Sequence, residues 1–133
     1  MATVKVFEEL EVWKLAEQQD LDIFPLTTQG TFAKDWGLID QIRRSAGSVM
    51  DNISEGFGRG GRNEFINFLA ISRGSNDEVR SQLHRAKNRG HLTIEQHEEL
   101  VAKNNTLGVK ITNFITYLGQ SDYKGKKFDR KPL

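Results

Sequence analysis

The chain has 133 residues, a net charge of +1 and no cysteine. That is one domain's length. It excludes disulfides and thiolate metal sites, and no run approaches the roughly 18 apolar residues of a membrane span. The acidic, interrupted start, MATVKVFEELEVWK, does not read as a signal peptide, so a cytoplasmic location is expected. The near-neutral total hides an asymmetry. Residues 1–42 carry three lysines against eight acids, net −5, while residues 43–91 carry nine basic residues against five acids, net +4. An acidic leading segment beside a basic middle implies charge-complementary packing or a surface for a polyanion.

The helical spacing of Val12, Trp13, Ala16, Ile23 and Phe24 predicts a first helix over about residues 7–24, with these side chains on its buried face. Pro25 lacks a backbone N–H and crowds the preceding turn, so the helix should kink or end there. Residues 30–37 read as a loop carrying Phe32 and Trp36, the latter expected to close over the bundle end. Ile39, Ile42, Ala46, Val49 and Ile53 recur at three- and four-residue steps and predict a second helix over about 38–55. Gly56 is expected to end it in the left-handed conformation, with the run GFGRGG forming the reversal.

A third helix is predicted over about 63–88, with the seam Phe65, Phe68, Ser72, Ser75, Val79, Leu83 and Ala86. Its middle is small. Gly74 costs about 1 kcal/mol relative to alanine inside a helix, so a neighbouring helix is expected to approach closely there. Gly90 should end this helix. Thr93-Ile94-Glu95-Gln96 is a capping box that opens a fourth helix. Its seam is Leu100, Asn104, Leu107, Ile111, Phe114 and Leu118, and Gly119 is expected to stop it. The reading is one bundle domain over 1–120, then a basic, mobile tail over 121–133. Three short links force neighbours antiparallel, so the fold class is all-α, an antiparallel up-down-up-down four-helix bundle.

No catalytic centre emerges. A di-metal bundle needs Glu-x-x-His pairs, but Ser81, Asn88 and Ile94 stand three residues before His84, His91 and His97. No serine sits in a nucleophile elbow, and no Gly-Lys-Ser/Thr follows the glycine-rich turn to make a phosphate-binding loop. No enzyme, metal or cofactor is expected, and the three histidines are expected at the surface. The cations form a better pattern. Arg73, Arg80 and Lys87 repeat every seven residues, Arg59, Arg62 and Arg85 extend the charge, and Arg43 and Arg44 add to it. Fixed cations on one face suit a phosphate backbone. The competing reading pairs Asp77 with Arg73 at i,i+4 and leaves a mixed solvated face. No aromatics interleave, which disfavours sequence-specific single-strand recognition. On the second helix, Arg44 shares a polar stripe with Gln41, Ser48, Asp51 and Glu55, opposite the apolar seam. That stripe either meets water or meets another subunit, where Arg44 and Glu55 would make charge-assisted bonds between copies.

These residues also carry a resemblance. Leu10-Glu11-Val12-Trp13, Ala16, Trp36-Gly37-Leu38, Gln41, Arg43, Arg44, Ser48 and Asn52-Ile53-Ser54-Glu55-Gly56 lead it. Phe65, Phe68-Leu69, Arg73-Gly74-Ser75, Glu78, Gln82 and Leu83 continue it. Taken jointly, from Phe7 to about Leu118, they resemble the 23S rRNA-intervening-sequence protein family. The resemblance implies a homo-oligomeric, pentameric bundle without enzymatic activity. Similar bundles serve as accessory proteins to the reverse transcriptases of diversity-generating retroelements, where they bind the polymerase and nucleic acid. The implied partners are copies of the chain, RNA or DNA, and a reverse transcriptase or other nucleic-acid enzyme, with no membrane. The implied subunit contact involves Gln41, Arg44, Ser48, Asn52 and Glu55. The alternative is a purely structural or protein-interaction module. Gln19 and Asp20 depart from the family pattern, which is apolar there, and Pro25 interrupts the first helix.

Overall fold

Apolar stripes at helical spacing make four amphipathic rods, and packing those stripes together builds the molecule. The computed structural model describes residues 4–120, so the expected tail over 121–133 lies outside the described residues. The helices are α1 (Glu11–Ile23), α2 (Trp36–Arg59), α3 (Arg62–Asn88) and α4 (Ile94–Gln120), with short 3-10 turns at Phe7–Glu9, Phe24–Thr28 and Phe32–Lys34. No strand occurs among the described residues.

Cross-helix contacts climb one helix while descending its neighbour. Gln41 meets Arg85 and Ser48 meets Ser75 across α2 and α3. Arg73 meets Thr112 and His84 meets His97 across α3 and α4. Glu11 meets Lys110 and Asp22 meets Lys103 across α1 and α4. That is the antiparallel register of a four-helix bundle. The predicted seams supply its core: Ala16, Ile42, Ala46, Val49, Ile53, Phe65, Val79, Ala86 and Ile111 are fully buried. Phe65 stands edge-on to Phe114 with ring centroids 5.2 Å apart. Burying each large aliphatic or aromatic side chain contributes about 1.5–3 kcal/mol.

Several local expectations are corrected. The first helix breaks at Leu10, and past Ile23 it tightens into a 3-10 turn with Pro25 in its first positions. Phe24 lies in that turn, half exposed, instead of in the core. Trp36 is 77% exposed and opens α2, so it does not close the bundle end; the buried aromatic of that loop is Phe32. Gly56 does not end α2. A Cβ on Gly56 would lie 2.6 Å from the Phe68 Cβ and 2.9 Å from Phe65 Cδ1, so glycine there lets α3 come close. The helix runs on to Arg59 and ends at Gly60, whose φ of 87° is the left-handed cap. Gly74, by contrast, faces outward, and a Cβ placed on it would meet nothing within 4 Å; the close approach expected at this small stretch is made on its other face, where Ser72 Oγ donates to the Val49 carbonyl of α2 at 2.8 Å and Ser75 meets Ser48 at 2.7 Å. The capping box of α4 forms as predicted, with Gln96 N–H donating to Thr93 Oγ1 at 3.0 Å and Thr93 N–H donating to Gln96 Oε1 at 2.9 Å. The helix passes through Gly119 to Gln120.

Candidate nucleic-acid and subunit interface

The candidate cations do not share one surface. Arg43 and Arg44 are adjacent in sequence and so project about 100° apart on α2. Arg43 turns inward across the α1–α2 link. Its Nε and Nη2 donate to Thr27 Oγ1 at 3.0 and 2.7 Å, and its guanidinium stacks 4.2 Å from the Phe24 ring centre. Arg44 stays in solvent, paired with Asp40 one turn earlier at 3.0 Å. Arg59 pairs with Glu55 at 2.9 Å and lies over Phe68. These exposed pairs within one helix contribute only tenths of a kcal/mol, which leaves the guanidiniums available. Arg44 and Glu55, expected to reach between copies, each hold a partner one turn away on their own helix.

On α3 the seven-residue repeat faces α4. Arg73 Nη1 donates to Thr112 Oγ1 at 3.4 Å, and Lys87 is exposed. Arg80 is the most engaged, donating to Asn104 Oδ1 at 3.2 Å, Asn105 Oδ1 at 3.1 Å and Asp77 at 3.1 Å. Asp77 thus pairs with Arg80 at i,i+3, not with Arg73. Arg62 opens α3 at the same angular position as Arg73 and Arg80. Arg85 lies on the other side, against α2.

There an open polar cleft of about 480 Å³ lies between α2 and α3. Gln41, Arg44 and Ser48 of the expected subunit stripe line its α2 wall, with Ser45. Asn52 sits just below, donating to the Ser48 carbonyl at 2.8 Å, and Ser48 shares a 2.7 Å hydrogen bond with Ser75. Arg85 Nη2 reaches across to Gln41 Oε1 at 2.6 Å. Gln82 Nε2 donates to Ser45 Oγ at 3.0 Å, but Gln82 Oε1, in a residue only 7% exposed, has no partner among the described residues. A buried carbonyl left without a donor costs about 1–3 kcal/mol.

Two polar clusters escape a sequence reading. Gln19, Asn76 and Asn104, from α1, α3 and α4, meet in the core. Asn104 Nδ2 donates to Gln19 Oε1 at 2.8 Å and Gln19 Nε2 donates to Asn76 Oδ1 at 3.1 Å. Asn76 Nδ2 and Asn104 Nδ2 each donate to the other's backbone carbonyl at 3.0 Å. The departure of Gln19 from the apolar pattern was the available signal; its partners, 57 and 85 residues away, were not. The second cluster corrects the placement of His91. Its side chain is 9% exposed, stacked on Phe32, with Nδ1 2.8 Å from Thr31 Oγ1 and Nε2 2.8 Å from Asp35 Oδ2. Arg89 donates to the same carboxylate oxygen at 2.9 Å. The bonds from His91 and Arg89 hold the Asp35 carboxyl down at about 2. The enclosed ring ties the α3–α4 turn to the start of α2. His84 and His97 do lie on the surface, 2.9 Å apart, with burial and then His84 lowering the His97 pKa.

Residues 8–113 match the family described as 23S rRNA-intervening sequence protein. The chain belongs to that family. Several of the residues that carry the likeness meet between α2 and α3: Ser48 on Ser75, Gly56 under Phe65 and Phe68, and Glu78 and Gln82 in the cleft. Among solved structures, a protein of unknown function from the S23 ribosomal protein family of Bacteroides thetaiotaomicron is similar. It is 21% identical with a TM-score of 0.70, over 78% of this chain and 97% of that one. At that identity the likeness concerns the fold. The comparison with curated proteins gives no match. No helix of the described residues is long and apolar enough to cross a membrane.

Proposed function

We propose that this family member is a non-enzymatic, cytoplasmic homo-oligomer, pentameric as the resemblance implies, that engages RNA or DNA. The observation that carries the reading is the alignment of Arg62, Arg73, Arg80 and Lys87 along one side of α3, in a segment of net charge +4. Arg59 at the α2–α3 turn lengthens that track, and Arg85 and Arg44 add charge on the cleft side. Arg43 contributes least, because it is bound to Thr27 and Phe24.

A second reading is supported by how many of these arginines already have partners within the chain, Arg80 above all. There the bundle is a structural or protein-interaction module, and a nucleic-acid enzyme such as a reverse transcriptase supplies the affinity. Fluorescence anisotropy of the full chain against RNA and duplex DNA, at 50 and 200 mM salt, separates the two. A track neutralising about four phosphates loses on the order of 100-fold in affinity across that range. Arg73→Glu with Lys87→Glu should then abolish binding at low salt while leaving assembly intact. Absence of binding at 50 mM salt, or binding indifferent to salt, overturns the first reading.

A further inference from the structure

His84 of α3 and His97 of α4 take no part in the core or in the pairing of the arginines. Their helices bring His84 Nδ1 and His97 Nε2 to 2.9 Å. Between neutral rings that contact is one hydrogen bond, with the proton of one nitrogen on the lone pair of the other. The outer nitrogens, His84 Nε2 and His97 Nδ1, have no hydrogen bond among the described residues. Each ring can therefore carry its proton on the outer nitrogen. The two inner nitrogens then offer two lone pairs to one cation.

The spacing has a chemical meaning. At a metal–imidazole bond of about 2.0–2.1 Å, nitrogens 2.9 Å apart subtend about 90° at the ion. A tetrahedral site would spread them to about 3.3–3.4 Å. A right angle belongs to neighbouring ligands in the tetragonal geometry of Cu(II) and Ni(II), both of which imidazole suits. The ring torsion of histidine is broad, so a small turn of each surface ring aims both nitrogens at the ion. The backbone beneath is fixed, because His97 directly follows the capping box that starts α4. Burial, then His84 and Lys87, lowers the His97 pKa, and Glu98 acts the other way. Protons therefore compete weakly for that ring at neutral pH. Lys87 and the positive end of α4 oppose a bound cation, and Glu98 and Glu95 of the first turn offset them.

We infer that His84 and His97 form a two-histidine site for a divalent copper or nickel ion, which ties the end of α3 to the start of α4. No group of three or more His, Cys, Asp or Glu able to hold a metal occurs among the described residues, so water fills the other positions. Ligand spacing along one helix cannot reveal such a site, because its two rings come from different helices. It needs a single chain and stands apart from the oligomer and nucleic-acid readings.

The test is calorimetric titration of the full, tag-free chain with CuCl2 and with NiCl2 in a buffer that does not ligate metals. Circular dichroism checks folding. One ion per chain is expected, with two nitrogen ligands in the electron paramagnetic resonance spectrum of the copper-loaded chain. Saturating metal should raise the thermal midpoint, because the unfolded chain separates the two rings. His84→Ala and His97→Ala should each weaken copper binding at least tenfold and remove that rise. Lys87→Ala should keep the site and tighten it. If an alanine variant loses its helical signal, His84→Gln or His97→Gln takes its place with the same expected loss. Undiminished affinity in both histidine variants puts the ion elsewhere and overturns the inference. So does a wild-type chain that takes up neither ion at millimolar metal, or a copper spectrum with fewer than two nitrogens.

Discussion

Two amide clusters in this bundle have opposite fates. Gln19, Asn76 and Asn104 sit in the core, and each carboxamide has both its nitrogen and its oxygen engaged within the chain. Gln82, at 7% exposure about as buried as Gln19 at 6%, keeps one atom unbonded beside an open cleft. Burial is the same; closure differs. A polar group enclosed by three helices is completed by them and fixes their register. One at the edge of two helices is left to whatever covers that edge. The cost of an unmade bond in low dielectric makes the distinction physical.

The largest effect expected of breaking that contrast is at Asn104. Asn104→Leu removes the donor to Gln19 and the acceptor of Arg80, stranding buried amides, and should destabilise by roughly 3 kcal/mol. Urea titration at fixed protein concentration should show the midpoint falling with the slope unchanged. A change under ~1 kcal/mol would mean the cluster is not closed. Gln82→Leu is the counterpart. It deletes the orphan carbonyl and one bond to Ser45, so the stability of the monomeric fold should move by less than ~1 kcal/mol, measured at a dilution where assembly is absent. A loss like that at Asn104 would erase the difference between the two sites.

The smallest effect concerns acid, to which uncharged amides are indifferent. The Asp35 carboxyl, at about 2, lies below its ordinary value of 3.8. Its stabilising contribution is therefore complete above pH ~4 and fades as pH drops through about 2. Between those limits Asp35→Asn should flatten the pH dependence of the thermal midpoint, while Asn104→Leu should leave its shape unaltered. Equal slopes for wild type and Asp35→Asn would show that the carboxylate is not held by His91 and Arg89.

The apolar seams were legible because repetition at 3.6 residues needs only local sequence. The capping box at Thr93 and the αL stop at Gly90 were legible for the same reason. What failed depended on distant partners. Gly56 offers a left-handed backbone and a missing Cβ, and only the position of Phe68 shows that the second is used. Trp36 lies at a helix start, where no periodicity assigns its face. Arg43 and Arg44 look alike in sequence, yet a turn 16 residues upstream captures one of them. The stripe Gln41, Arg44, Ser48 was visible as one wall. The other wall, Glu78 to Arg85, was hidden because its partner helix had to be folded back before the two could be seen as one cleft.

Only Gly60 and Gly61 separate the last residue of α2 from the first of α3. Two residues span at most about 7 Å, so the end of α2 and the start of α3 are tied side by side. The cleft walls lie more than ten residues beyond that tie, so their spacing rests on the few polar bridges between them, Ser48 to Ser75, Ser45 to Gln82 and Gln41 to Arg85.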